Sequence, residues 1–302
     1  MHPCGAENET RYCRGRKEVG VVIDLHTHST CSDGTDSPFA LVKKALSTGV
    51  TTLGLTDHDS IAGWAEAITA VAPQIELALG AEISCLTPDG ISVHMLGLLF
   101  DGEHKDMQQM LEDSRDTRIP RMRKMIELLR ADGINITIED VQRTTPPGAT
   151  LGRPHLADAL VANGVVKSRD EAFLDLLHNE SKYYVTHAAP TPEDAISMIR
   201  RAGGVAVIAH PFASRRGEIL DASTFAGMVA AGLNGIEVAH RDQSPDEQRA
   251  LIAIATELNL VTTGASDYHG TGKLNSMAEN TTHPAQWEAL EAQADARRVI
   301  RK

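Results

Sequence analysis

The stretch Ile23-Asp24-Leu25-His26-Thr27-His28-Ser29-Thr30-Cys31-Ser32-Asp33-Gly34-Thr35-Asp36-Ser37 decides how the rest of the chain is read. The β-branched run Val21-Val22-Ile23 predicts a strand, and the polar, Gly-containing segment after it predicts the loop at its C-terminal end. On an extended segment His26 and His28 project to the same side, where two imidazole nitrogens can reach one cation. Asp33 follows in the loop. A hard carboxylate beside borderline imidazoles suits Zn, Mn or Fe better than Ca or Mg. An isolated H-x-H is equally well read as two polar histidines at a strand end; what separates the readings is whether the pattern recurs.

It does recur. Ser37 caps and Pro38 opens a predicted helix that runs to about Ser47 and stops at Gly49. A strand over Thr51–Thr56 delivers Asp57-His58-Asp59-Ser60, and a helix from Ile61 to about Val71 follows. Ile75–Ile83 predicts a third strand carrying Glu82 near its end, and Ile91–Phe100 a fourth with His94 inside an apolar run. After an interruption, a helix opens at Thr191-Pro192, and the strand Val205–Ala209 delivers His210-Pro211. A helix over Ile219–Ala230, a strand over Gly235–Val238 ending near His240, and a helix over Pro245–Leu258 come next. The strand Leu260–Thr263 leads to Ser266-Asp267-Tyr268-His269, and Pro284–Val299 predicts a closing helix. The strand ends thus present His26, His28, Asp33, His58, Glu82, His94, His210, Asp267 and His269. A parallel α/β barrel gathers its strand C-termini on one face and places its active site there.

Between residues 101 and 185 the alternation stops and the composition turns helical and charged. Met107–Arg130 is helical with a possible break at Pro120, and further helices are predicted at Ile138–Gln142, Arg153–Asn163 and Ser168–Leu177. The segment reads as an all-helical cap inserted into a barrel made of residues 20–100 and 186–302. From Arg115 to Arg130 there are six basic residues against two acidic, a local cationic patch in an otherwise acidic chain. Residues 1–19 are polar, lack periodicity and predict a loosely docked tail.

With 302 residues, 42% of them hydrophobic, the chain can bury one large core. A formal charge of −12 disfavours coating of long duplex nucleic acid. Cys4, Cys13, Cys31 and Cys85 form no C-x-x-C pair and predict free thiols in a reducing compartment. No run of 18 apolar residues occurs and the N-terminus has no apolar leader core, so a cytoplasmic protein without a membrane partner is expected.

The H-x-H with its following S-D-G-x-x-S-P, the T-D-H-D, the G-A-E-I-S, the His94 strand, the A-H-P and the A-S-D-Y-H-G together resemble the PHP (polymerase and histidinol phosphatase) family over residues 21–272. The resemblance implies a distorted (βα)7 TIM-like barrel, of α/β class, holding two to three divalent ions (Mn, Fe or Zn). One ion would be held by His26, His28, Glu82 and Asp267. A second would share Glu82 and take His94 and His210, and a third would take Asp33, His58 and His269. No ligand is missing from the pattern.

Within the family, the helical insertion with R-I-P-R (Arg118, Arg121) and G-R-P-H-L-A (containing Arg153 and His155) resembles the stand-alone nucleotide phosphoesterase branch. That branch removes the 3′-phosphate of nucleoside 3′,5′-bisphosphates or trims short oligoribonucleotides from the 5′ end. Arg118 and Arg121 are three apart on a predicted helix and can face one phosphate together, although Pro120 between them weakens that geometry. Arg153 and His155 open another helix, whose N-terminal N–H groups favour an anion. The expected enzyme is therefore a metal-dependent phosphoesterase in which activated water attacks and no protein nucleophile is needed, with His240 as a candidate proton donor. The alternatives are a histidinol-phosphate phosphatase or other small phosphomonoesterase, amidohydrolase chemistry on a similar barrel, and a non-catalytic nucleotide or polymerase accessory module.

Overall fold

A computed structural model of the chain describes residues 20–186, 188–296 and 299–302. The tail expected over residues 1–19, with Cys4 and Cys13, lies outside the described residues. Seven strands form one sheet in chain order: β1 (Ile23–Asp24), β2 (Thr52–Leu55), β3 (Glu76–Leu86), β4 (Ser92–Leu98), β5 (Val205–Ala209), β6 (Gly235–Ala239) and β7 (Val261–Gly264). The sheet curls until a parallel bridge between Thr27 and Tyr268 brings its two edges together, so the barrel is nearly closed.

The winding departs from the expected one at β4. β1, β2 and β3 run parallel to one another, as do β5, β6 and β7, but β4 runs antiparallel to both β3 and β5. The connection from Leu86 to Ser92 is Thr-Pro-Asp-Gly-Ile, closed by Thr87 N–H donating to the Ile91 carbonyl over 2.9 Å. A link of that length makes a hairpin and cannot cross the sheet, which takes about a dozen residues or more. His94 therefore reaches the mouth from the start of its strand and Glu82 from within the long β3, while the other site residues follow the C-termini of parallel strands.

Helices α1 (Pro38–Ser47) and α2 (Trp64–Ala70) follow β1 and β2. The inserted helices are α3 (Lys105–Asp116), α4 (Arg118–Ala131), α5 (Ile138–Thr144), α6 (Arg153–Ala162) and α7 (Arg169–Asp175). The break falls at Thr117, not at Pro120; Pro120 lies in the first turn of α4, where its missing N–H has no intrahelical partner to lose. Met122, Met125, Leu129, Leu156 and Leu160 build an apolar core of the cap's own, whereas Met107 and Leu111 of α3 belong to the barrel core. The remaining helices, α8 (Pro192–Arg201), α9 (Thr224–Ala231), α10 (Pro245–Glu257) and α11 (Pro284–Glu291), complete the outer layer. Two of these are shorter than the sequence predicts. α9 starts late because Asp221 accepts the Ser223 N–H in a turn, and after α11 the chain runs on to pair Ile300 with Leu77 in antiparallel bridging.

Candidate metal centre

Glu82 is the hub of the barrel mouth. Its Oε2 lies 3.3 Å from His26 Nε2, 3.2 Å from His28 Nε2 and 3.0 Å from His58 Nδ1, and its Oε1 lies 2.7 Å from His94 Nδ1 and 3.3 Å from His210 Nε2. Asp267 Oδ1 stands 3.5 Å from His26 Nε2 and 3.3 Å from His28 Nε2, and Asp33 Oδ1 stands 3.2 Å from His269 Nε2. All nine residues read from the sequence are thereby brought into one connected cluster.

Within it, three sets have ligand atoms close enough to share an ion: His28, Asp33, His58 and His269; His26, His28 and Glu82; and His58, Glu82 and His94. The donor set fits cations on independent grounds. Asp33 Oδ1, His58 Nδ1, Glu82 Oε2 and His269 Nε2 are buried with no hydrogen-bond partner, and each such atom costs roughly 1–3 kcal/mol unless something satisfies it. Imidazoles mixed with carboxylates match Mn, Fe or Zn.

The electrostatics agree. Burial pushes the carboxyls of Glu82 and Asp33 upward, yet the surrounding imidazoles hold both well below the usual carboxylate range. Asp267 is held down likewise, by Lys273 as well as His269 and His26. Burial draws imidazoles down, but the carboxylates beside His28 raise it to about 9, and His26 is raised well above its ordinary value. His269, buried and facing His28 and Lys273, falls to about 3, and burial likewise lowers His94 and His210, with Arg216 adding to the shift at both.

The loops that carry these groups are stapled from beneath. Asp57, the first acid of T-D-H-D, is not a ligand: it accepts from Ser29 N–H (2.8 Å), Ser29 Oγ (2.7 Å) and Ser32 Oγ (2.6 Å). Asp24 does the same across the barrel seam for Ser266 N–H, Ser266 Oγ and Ala278 N–H. A Cβ on Gly34 would stand 2.4 Å from the His28 carbonyl oxygen, so the S-D-G turn admits only glycine. His210 (φ 32°), Asp267 (φ 51°) and Asp59 (φ 47°) occupy the left-handed region without being glycine, strain of order 1–3 kcal/mol each that clusters at functional sites.

A cavity of about 440 Å³ opens over the cluster, between the barrel mouth and the cap. Its cap wall carries Arg118, Arg121, Arg153 and Arg169, and its loop wall Arg215, Arg216, Arg241 and Lys273. Several of these charges are already spent. Arg118 donates to Asp59, to Ser84 Oγ (2.8 Å) and to the Leu151 carbonyl (3.1 Å). Arg169 grips both oxygens of Asp158 at 2.5 Å, and Arg216 bridges Asp242 (2.6 Å) and Asp267 (2.8 Å).

Arg121 and Arg153 differ from these. Among the described residues neither is paired with a carboxylate: Arg121 donates to the Val185 carbonyl (2.6 Å), and Arg153 to the Leu177 carbonyl (2.8 Å) and Asn179 Oδ1 (2.7 Å). Both guanidiniums stack on the Tyr184 ring, at 5.3 and 5.1 Å from its centroid. Burial and repulsion by Arg153 bring Arg121 down to about 10, and burial lowers Arg153 as well. Such crowded cations are stabilised by an anion between them.

Two expectations for the cap need correction. His155 does not face the cavity: it is buried, its Nδ1 accepts from the Gly152 N–H (3.0 Å) and its Nε2 donates to the Ser32 carbonyl (3.1 Å), so it ties α6 to the H-x-H loop. Arg118 and Arg121 do not grip one group together, because Arg118 is turned to Asp59. The two guanidiniums that share the Tyr184 ring on the cavity wall are Arg121 and Arg153, which sequence spacing could not pair. Tyr184, Arg216 and Lys273 were missed altogether, since nothing near them in sequence marks them. His240 is buried at the cluster's edge; its Nδ1 accepts from the Asp242 N–H (3.0 Å), and its Nε2 lies 3.4 Å from Asp267 Oδ2.

Comparison with known proteins agrees with this geometry. The PHP domain family matches residues 24–132. A 3′,5′-nucleoside bisphosphate phosphatase of Chromobacterium violaceum is 34% identical over 252 residues, 83% of this chain and 88% of that one. The 5′-3′ exoribonuclease Rnm of Escherichia coli is 35% identical over 256 residues, covering 82% and 85% of the two chains. A crystal structure assigned as a metal-dependent phosphoesterase of Bifidobacterium adolescentis superposes with a TM-score of 0.85 at 37% identity, over 90% of this chain and 96% of that one. Among the described residues no helix is long and apolar enough to cross a membrane.

Proposed function

Because this chain belongs to the PHP family and is a metal-dependent phosphoesterase, we propose that it hydrolyses the 3′-phosphate ester of nucleoside 3′,5′-bisphosphates, with two or three Mn, Fe or Zn ions as its cofactors. The observation that carries the reading is the pair Arg121 and Arg153, two guanidiniums without a carboxylate partner, on the wall of the cavity whose floor is the nine-residue cluster. One phosphate sits at the floor and the other between the two guanidiniums. An ammonium-bearing ester such as histidinol phosphate would meet the same positive wall, which disfavours it. A non-catalytic accessory role leaves the complete ligand set without a purpose. The volume, about 440 Å³, suits a mononucleotide.

When bound, the cations supply Lewis-acid charge to the phosphoryl oxygens and make water nucleophilic near neutral pH. The chain's own part is to orient and to stabilise charge. His26, His28, Asp33, His58, Glu82, His94, His210, Asp267 and His269 would hold the ions. Arg121 and Arg153 fix the second phosphate and so the direction of the ester bond, with the Tyr184 ring within cation–π distance of both. Arg216 and Lys273 place positive charge against Asp267 on the opposite wall. His240 has its Nδ1 lone pair taken by the Asp242 N–H, so its one proton sits on Nε2, facing Asp267, and it orients that carboxylate instead of serving as the proton donor; the departing ribose oxygen takes the proton released by the attacking water. Water adds to phosphorus as the ester P–O bond breaks, and no side chain is alkylated or phosphorylated.

A second substrate, a short oligoribonucleotide trimmed from its 5′ end, is supported by an adjoining concavity of about 410 Å³ that shares Arg169, Asp170, Gly272, Lys273 and Leu274 with the first. We place the enzyme in the cytoplasm, in keeping with the free thiols Cys31 and Cys85. The deciding experiment assays metal-loaded protein on adenosine 3′,5′-bisphosphate, a 5′-phosphorylated trinucleotide and histidinol phosphate. Release of phosphate from the bisphosphate at a kcat/KM at least tenfold above histidinol phosphate is expected, and the reverse order overturns the assignment.

A further inference from the structure

The inner side of β6 carries a carboxylate that the metal centre as described does not use. Ile236 and Val238 pack into the apolar layer beneath the helices, so strand alternation turns Glu237 to the opposite, lumen side, where it is fully buried. A charge at such a position is costly unless it is paired. Glu237 Oε2 lies 2.9 Å from His26 Nδ1, and Oε1 has no hydrogen-bond partner.

An ionised carboxylate only accepts, so the His26 hydrogen must sit on Nδ1 and the lone pair of the neutral ring on Nε2. Nε2 is the atom aimed at the cluster, 3.1 Å from His28 Nε2 and 3.3 Å from Glu82 Oε2. The neighbouring ligands are backed differently. His28 Nδ1 faces Ser32 Oγ at 3.3 Å and His269 Nδ1 donates to the Asp267 carbonyl at 2.7 Å, both neutral acceptors. Carboxylate oxygens lie farther off, Asp33 Oδ1 at 3.7 Å from His28 Nδ1 and Asp267 Oδ1 at 3.4 Å from His269 Nδ1, so of these three only His26 has a carboxylate hydrogen-bonded to its Nδ1.

We propose that Glu237 is a positioning residue for the metal centre. It locks His26 in the tautomer and ring orientation that present Nε2 to a cation, and its charge makes that nitrogen a stronger donor. It thereby sets the affinity of the site shared by His26, His28 and Glu82. The inference rests on the reading of the mouth as a metal centre, and its test separates the two.

Full-length protein stripped of metal is titrated with Mn²⁺ by calorimetry, as wild type, Glu237→Gln, Glu237→Ala and His26→Ala, with melting temperatures recorded in chelator. Glu237→Gln keeps the volume and an acceptor oxygen but removes the charge. Its Mn²⁺ affinity is expected to fall about 10-fold, and that of Glu237→Ala towards about 100-fold. The Gln variant should melt in chelator within a few degrees of wild type, which a merely structural residue would not combine with a loss of affinity. Wild-type Mn²⁺ affinity in Glu237→Gln, beside a loss in His26→Ala, overturns the positioning role while the metal centre stands. No Mn²⁺ uptake by wild type overturns the metal centre and this inference with it. If Glu237→Ala does not fold, the Gln variant decides alone.

Discussion

Arg118 on the cap directs both Nε and Nη2 at a single oxygen, Oδ2 of Asp59, in the loop that also presents His58. The other Asp59 oxygen accepts the Ser84 N–H at 2.9 Å, and Arg115 donates to the Asp59 carbonyl at 2.6 Å. Asp59 is fully buried. Removing one partner of a buried ion pair typically costs about 3–5 kcal/mol, because the other is left uncompensated. Arg118→Ala is therefore expected to lower the melting temperature by ten degrees or more and to slow bisphosphate and p-nitrophenyl phosphate hydrolysis to the same extent. A KM increase confined to the bisphosphate, with unchanged melting, would return Arg118 to the substrate.

Arg121→Ala and Arg153→Ala should show the opposite split. Each guanidinium is held by neutral oxygens, so its removal strands no carboxylate. A charge-assisted hydrogen bond to phosphate contributes about 1.5–3 kcal/mol, which predicts KM for adenosine 3′,5′-bisphosphate about 10- to 100-fold higher. The p-nitrophenyl phosphate reaction, which has no second phosphate, should stay within about threefold of wild type. Steady-state kinetics on both esters check this, and equal losses on the two would remove the second-phosphate site.

Metal loading should compete with protons. His28 sits at about 9 and His26 well above its ordinary value, raised by the carboxylates around them, so in the metal-free protein His28 holds its extra proton up to about pH 9 and His26 holds its own beyond the ordinary imidazole range. A ligating imidazole must give its proton up. Mn²⁺ affinity is therefore expected to rise with pH from 6 to about 9 and then level, with proton release visible as a buffer-dependent heat. His269, at about 3, contributes nothing over that range. Affinity flat between pH 6 and 8 would contradict the raised imidazoles.

The cluster was legible in the sequence because each of its residues sits in a short local pattern, polar and metal-competent, beside or within an apolar strand. His26, His28, Asp33, His58, His210, Asp267 and His269 each follow a strand, which sequence order alone reveals. His94 was found for an incomplete reason: it lies at the start of an antiparallel strand, and the Thr87–Ile91 hairpin that reverses β4 has no counterpart among the elements predicted from sequence. The cap was harder. Its helices were visible from periodicity, but the direction of each arginine depends on partners far away in sequence, such as Asp59 for Arg118 and Tyr184 for Arg121 and Arg153. His155 carries the same lesson, since its helix-opening position suggested an anion while its ring turns to the Ser32 carbonyl, 123 residues away.

Gly34 provides the sharpest test of how tightly the H-x-H loop is built. Its backbone is not in the left-handed region, so conformational freedom is not what glycine supplies there. What forbids a side chain is the His28 backbone: a Cβ would stand 2.4 Å from the carbonyl oxygen and 2.6 Å from the carbonyl carbon. Those atoms cannot give way, because the next residue is pinned to Asp57 by Ser29 N–H at 2.8 Å and His28 N–H donates to the Tyr268 carbonyl at 2.9 Å. Gly34→Ala must therefore shift Asp33 and its neighbours, at about 1–3 kcal/mol for overpacking, and displace Asp33 from His269. We expect a melting temperature several degrees lower and Mn²⁺ affinity reduced at least tenfold, read by calorimetry on the same sample. Wild-type melting and metal affinity in Gly34→Ala would mean that the loop relaxes freely, and that Asp33 is not held in register with the other ligands by this turn.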